Sequence, residues 1–262
     1  MPSNSITDKV IKRDRNIVIT GLSAVILAAA IYTFNMAQAN NGMVAAMLQQ
    51  HDHATHGSDS FMNLFIMWTM MQVAMMSPTA IPMILMHTKV ERTRSPERSP
   101  VLRTAIFMLG YIVIWAVFSA AFAGIQMLLQ ATALLSPAMA SASPWLAGGI
   151  LIAAGLFQFS KLKEVCLTQC RSPVTYFMLE WREGDSGAFL MGVKHGVHCV
   201  GCCWVLMALL FVAGVMNLLW MAIITAFVLI EKLTPKGDVF GRISGVGMTI
   251  WGVAIILLGL LN

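Results

Sequence analysis

Charge is what this chain has least of. Only 11% of its 262 residues are Asp, Glu, Lys or Arg, against about 25% in soluble domains, and that shortfall excludes an ordinary water-soluble globule. Nucleotide-phosphate motifs are missing as well. No Walker-type glycine-rich loop with its lysine occurs, so nothing in the sequence couples the chain to a nucleotide. There is no internal repeat, no low-complexity linker and no stretch resembling a separate soluble domain. Cysteines are absent from every segment expected to face an oxidising compartment, which argues against a structural disulfide framework.

What the chain has instead is apolar length. Hydrophobic residues make up 58% of it and fall in seven blocks, near 17–38, 61–87, 103–130, 143–160, 193–213, 215–231 and 241–261. A bilayer-spanning helix needs about 20 mostly apolar residues, so the pattern predicts an all-α polytopic membrane helix bundle of about seven transmembrane helices. Basic residues test that count independently. With the N-terminus inside and the chain alternating, all 17 Lys and Arg fall on the inner side. The outer segments 39–60, 131–142 and 214–215 hold none. This is the positive-inside rule without an exception, and it predicts an N-in/C-out, multi-pass protein of the bacterial inner (plasma) membrane. The net charge of +5 then reflects contact with anionic lipid of the inner leaflet and no nucleic-acid partner. The whole chain, 1–262, reads as one integral membrane domain. Residues 1–60 form an anchor helix plus a His-rich outer loop, and 61–262 form a six-helix metal-binding core. Ala37-Gln38-Ala39 resembles a signal cleavage site, but the preceding apolar run exceeds a usual signal core, so an uncleaved anchor is expected. In the inner loop, residues 174–181 read as a short amphipathic helix lying flat on the interface.

Chemistry concentrates in three places. The stretch Lys194-His195-Gly196-Val197-His198-Cys199-Val200-Gly201-Cys202-Cys203-Trp204 puts His195, Cys199 and Cys202 at i, i+4 and i+7, one face of a helix. Cys203 and then Met207 follow at further steps of four. A single buried thiol is usually a small packing residue, but three thiols within five residues beside two histidines fit a metal site better. Cys166 and Cys170 sit one helical turn apart at the inner end of the fourth block, placed to complete that site or receive metal first. The second block carries Met62, Met67, Met70, Met71, Met75, Met76, Met83 and Met86, out of 21 Met in the chain. Met75 and Met76 fall at about the depth of Cys202 and Cys203. Thiolate and thioether together select Cu(I), although thiolates alone leave zinc open. On the outer side His51, His53 and His56, preceded by Met36, Met43 and Met47, form a second candidate copper or zinc site. Glu231 is expected to pair with its neighbour Lys232, or to anchor a ligand histidine.

The motifs Trp68-x-x-Met71-x-x-Ala74-Met75-Met76-x-Pro78, Lys163-x-x-Cys166-Leu167-x-x-Cys170-Arg171-x-Pro173, Gly192-x-x-His195-Gly196-x-x-Cys199-x-Gly201-Cys202-Cys203-Trp204-x-Leu206-Met207 and Glu231-Lys232-x-x-Pro235-x-Gly237 resemble a bacterial family of metal-binding integral membrane proteins, once catalogued as a domain of unknown function. The resemblance covers about 61–240. It implies a part in supplying copper to copper enzymes such as tyrosinase-like oxidases. The leading expectation is a non-enzymatic copper chaperone of the membrane that passes Cu(I) to an extracytoplasmic or membrane copper enzyme. Two alternatives stand beside it: an accessory subunit of a membrane copper oxidase or monooxygenase, and a thiol–disulfide oxidoreductase using the C-x-x-C of Cys199 and Cys202.

Overall fold

The computed structural model describes residues 3–49, 60–95, 99–136, 139–141 and 143–261. They form an all-α bundle of ten helices: α1 Ser3–Gln49, α2 Phe61–Arg94, α3 Pro100–Ala131, α4 Pro144–Phe157, α5 Lys161–Arg171, α6 Pro173–Glu180, α7 Gly184–Ala208, α8 Leu210–Ala213, α9 Leu218–Leu233 and α10 Gly237–Leu261. Among the described residues there is no strand, only one isolated bridge between Leu135 and Ser141.

Five helices are long and apolar enough to cross a membrane: α1, α2, α3, α7 with its continuation α8, and α10. The fourth apolar block behaves differently from the sequence expectation. It yields α4, only 14 residues long, and then breaks. Ser160 caps a new helix by accepting from the Lys163 amide at 3.2 Å, and the axis of α5 departs from that of α4 by 64°. Counted as one broken span, the pair brings the total to six. The sixth block yields α9, whose 16 residues run from the Asn217 cap to Thr234, just before Pro235. At 1.5 Å per residue that is about 24 Å, short of the roughly 30 Å hydrocarbon core.

Small residues set the closest helix contacts, as expected where packing rather than water exclusion drives association. Gly192 of α7 lies against the Phe107 carbonyl of α3, and a Cβ on Gly110 would come within 2.9 Å of the Val193 amide. On the other flank a Cβ on Gly252 would meet the Gly148 carbonyl at 2.7 Å, joining α10 to α4. The helices α2 and α7 occupy the interior, whereas α10 turns Ile250, Leu257 and Leu258 outward. The core holds Trp68, Met71, Met76, Tyr111 and Trp115, each essentially inaccessible.

One end of the bundle is laced by ions. Arg103, at the start of α3, bonds Glu91 of α2 and Asp185 of α7, while Arg92 of α2 pairs with Asp14 of α1. The short helix α6 lies across this end with Tyr176 and Phe177 buried and Val174, Met178 and Leu179 exposed. That split matches the amphipathic segment expected there.

Candidate metal centre

The helix α7 forms as its period required, and it carries three thiols inward: Cys199 is 0% exposed, Cys202 and Cys203 1% each. A thiol on a helix finds its nearest acceptor one turn back. Accordingly Cys202 Sγ and Cys203 Sγ both donate to the Cys199 carbonyl, at 3.1 and 3.0 Å. Cys203 Sγ also faces Met76 Sδ of α2 at 4.0 Å. The break after α4 turns α5 so that the buried Cys170 lies near Cys199 and Cys202, although it makes no hydrogen-bond contact with either. Four buried thiols from two helices and one thioether from a third therefore lie near one another. All five cysteines are free.

A cation stands among these thiols. The Lys232 ammonium, reaching in from α9, donates to Cys199 Sγ at 3.0 Å and to Thr79 Oγ1 at 3.0 Å. Its charge also acts on Cys170, Cys202 and Cys203. Tyr111 completes the wall: its hydroxyl donates to the Met76 carbonyl at 3.2 Å and lies 3.2 Å from Cys199 Sγ. The pairing of Glu231 with Lys232 expected from sequence is not formed. Adjacent helical residues point about 100° apart, and Glu231 instead binds Lys163 of α5 at 2.7 and 2.8 Å. Gln158, at the α4–α5 break, caps the same Lys163 ammonium.

His195 is 2% exposed, and neither of its ring nitrogens has a hydrogen-bond partner. Its ring is stacked on Tyr111 at 5.5 Å and on Phe107 at 6.0 Å, one helical turn before Cys199. Buried imidazole nitrogens are normally satisfied, so an orphaned pair beside thiols fits a side chain available to a metal. His198 is only half-buried and packs edge-on to Tyr176; it makes no hydrogen bond to a thiol. Burial holds the Tyr176 phenol above its ordinary range, which keeps it a donor to the Met191 carbonyl at 2.7 Å. The sequence reading missed His87. This ring is wholly buried, stacked on Phe107 at 4.8 Å and held by Thr104 Oγ1 at 3.0 Å from Nδ1, with Nε2 unpartnered.

The other expected ligands divide. Cys166 packs on α7 at its thinnest point, where a Cβ on Gly201 would lie 2.7 Å from the Cys166 sulfur. Met75 and Met207 are buried in the core, but unlike Met76 neither makes a hydrogen-bond contact with a thiol. His51, His53 and His56 lie outside the described residues. Among the described residues, no three His, Cys, Asp or Glu side chains are arranged as a ready-made cage for an ion. The donors present are sulfur first, with one imidazole at the edge. Soft sulfur donors discriminate for Cu(I) and against hard oxygen-seeking ions.

Fold and site together define a helical bundle suited to a membrane, with a buried cluster of sulfur side chains and a cation beside it. The chain belongs to the PpoB2 copper chaperone family, whose sequence model matches residues 65–255. That span includes every thiol and the Met-rich α2 face from Met67 onward, and it excludes all of α1. No curated protein and no solved structure matches the chain.

Proposed function

We propose that this chain is a multi-pass inner-membrane protein that holds Cu(I) on Cys199, Cys202 and Cys203, with Cys170 and Met76 as exchange partners, and passes it to an extracytoplasmic or membrane copper enzyme. The observation that supports this reading is that α2, α5, α7 and α9 bring four buried thiols, a thioether and the Lys232 ammonium close together. The charge accounts for the cation. Two thiolates on one Cu(I) leave a net charge of −1, which is costly inside a bilayer unless paired. Lys232 supplies that partner 3.0 Å from Cys199 Sγ. His195, with both nitrogens free, would serve as a third donor, with Cys166 and His198 further out.

The distribution of Lys and Arg supports an N-in/C-out orientation with seven crossings, which requires the short α9 to be matched by local thinning or by its flanking residues. Residues 61–262 then form the metal-binding core, and residues 1–60 an anchor with its outer loop. Handover would proceed by ligand exchange, without nucleotide hydrolysis and without a catalytic step. Thiol–disulfide exchange needs a thiolate that a partner can reach, and the burial of Cys199 and Cys202 does not favour it.

Metal analysis of the detergent-purified protein tests the reading. Wild type should retain thiolate-ligated copper after anaerobic Cu(I) loading, and a Cys199→Ser, Cys202→Ser, Cys203→Ser variant should lose that thiolate signature in X-ray absorption. Identical copper content and ligation in the two proteins would refute it.

A further inference from the structure

We infer a second Cu(I) site, built from methionine, at the end of the bundle away from the ion pairs. Four separate segments each bring one thioether to a cavity of about 180 Å³: Met36 from α1, Met67 from α2, Met139 from the α3–α4 connection and Met216 from the turn before α9. Met67 and Met216 are 3% and 4% exposed. The two connections are tied together, since the Val215 amide donates to the Met139 carbonyl at 3.2 Å and the Ser141 amide to the Phe211 carbonyl at 2.7 Å. That pairing fixes Met139 and Met216 side by side.

Packing alone does not account for two details. The first is a polar relay that aims one sulfur. Trp68 Nε1 donates to Gln126 Oε1 at 2.7 Å, and Gln126 Nε2 donates to Met139 Sδ at 3.5 Å. Outer hydrogen bonds of this kind orient metal ligands, and a thioether so held keeps its second lone pair free for a metal. The second is Asn40, which lines the same cavity at 8% exposure with Oδ1 unpartnered. A buried amide oxygen without a donor signals a missing partner, and a cation supplies one. Among the described residues the lining holds no acidic group; thioethers select Cu(I) over divalent ions, and they need no deprotonation to bind it. The row Met67, Met71, Met75, each four residues apart on α2, leads from this cavity toward Met76 and the thiols.

This inference rests on copper being the cargo of the chain and is independent of the thiols being ligands. The test uses the full chain purified in detergent with His51, His53 and His56 all changed to Ala, so that the outer loop contributes no imidazole. The protein is loaded anaerobically with Cu(I), freed of excess metal, and measured at neutral pH and again at acid pH, where thiols but not thioethers compete with protons. Two equivalents are expected at neutral pH. The Cys199/Cys202/Cys203→Ser variant should keep one equivalent that survives acid, with thioether ligation. A Met67/Met139/Met216→Leu variant should keep one that is thiolate-bound and lost in acid, and that retained copper also reports a folded protein. If the Met variant loses both equivalents, single Met139→Leu and Met216→Leu variants decide: each must weaken the acid-stable copper at least tenfold and spare the thiolate copper. Acid-stable copper unchanged in the Met variant or in both single variants, or absent from the Cys variant, overturns the second site. Acid-stable copper without any thiolate copper in wild type would overturn the thiol centre and leave this site standing.

Discussion

Replacing Lys232 by methionine removes one positive charge from the thiol centre while nearly preserving side-chain length and apolar bulk. The ammonium lies 3.0 Å from Cys199 Sγ. At that separation two unit charges attract by about 5 kcal/mol at an effective dielectric constant near 20. Two effects reduce what copper would lose. The negative charge of a bis-thiolate complex is spread over both sulfurs, and the variant is relieved of keeping a desolvated ammonium. About half the attraction should survive these offsets, so Lys232→Met is expected to weaken Cu(I) binding by roughly 100-fold, or about 2.7 kcal/mol. Lys232→Arg keeps the charge and should recover most of the affinity. Competition with a chromophoric Cu(I) chelator in detergent micelles measures both variants directly. Binding by Lys232→Met as tight as wild type, or tighter, would refute the charge-balance reasoning and make Lys232 a competitor that copper must displace.

Cys170 and Cys166 should behave differently although they lie four residues apart. Cys170 lies near both Cys199 and Cys202, whereas Cys166 abuts the Gly201 backbone and is near Cys202 alone, so Cys170→Ser should slow Cu(I) exchange or weaken binding about tenfold in the same competition assay, with a smaller effect for Cys166→Ser. Glu231→Gln leaves the buried Lys163 ammonium without its carboxylate, and breaking a buried pair from one side costs about 3–5 kcal/mol. Its thermal unfolding midpoint should therefore fall by several degrees, and adding Lys163→Met should restore part of the loss.

The thiol face of α7 was legible because a helical period maps i, i+4 and i+7 onto one line, and burial in a bundle then follows. The family motifs around Trp68, Cys166 and Cys199 were legible for the same reason, being local. Interactions that depend on where a helix stops were not. That Cys170 would come near the α7 thiols was expected, but not the means: just past the end of the fourth apolar block, Ser160 starts α5 on a new axis. The partner of Lys232 was misassigned because sequence adjacency suggested Glu231, while its four-carbon stem carries the ammonium to another helix. Met139 and Met216 sit singly in connections, without periodicity, so only the closed fold brings them together. His87 was hidden among the methionines of α2 for want of a spacing that would single it out.

The helix α2 lends a sulfur to each end of the bundle, Met76 at the thiols and Met67 at the methionine cavity. Nine residues separate them, about 14 Å of helix. Both prolines, Pro78 and Pro82, lie beyond Met76 on the far side from Met67. Pro78 lacks the N–H that would bond the Ala74 carbonyl, so the ladder between the two sulfurs is interrupted only next to Met76, and the turns nearer Met67 keep theirs. A displacement of α2 that improves the fit of a metal at one end shifts the ligand at the other. Linkage then makes the influence mutual, because whatever factor the first ion imposes on the second, the second imposes on the first.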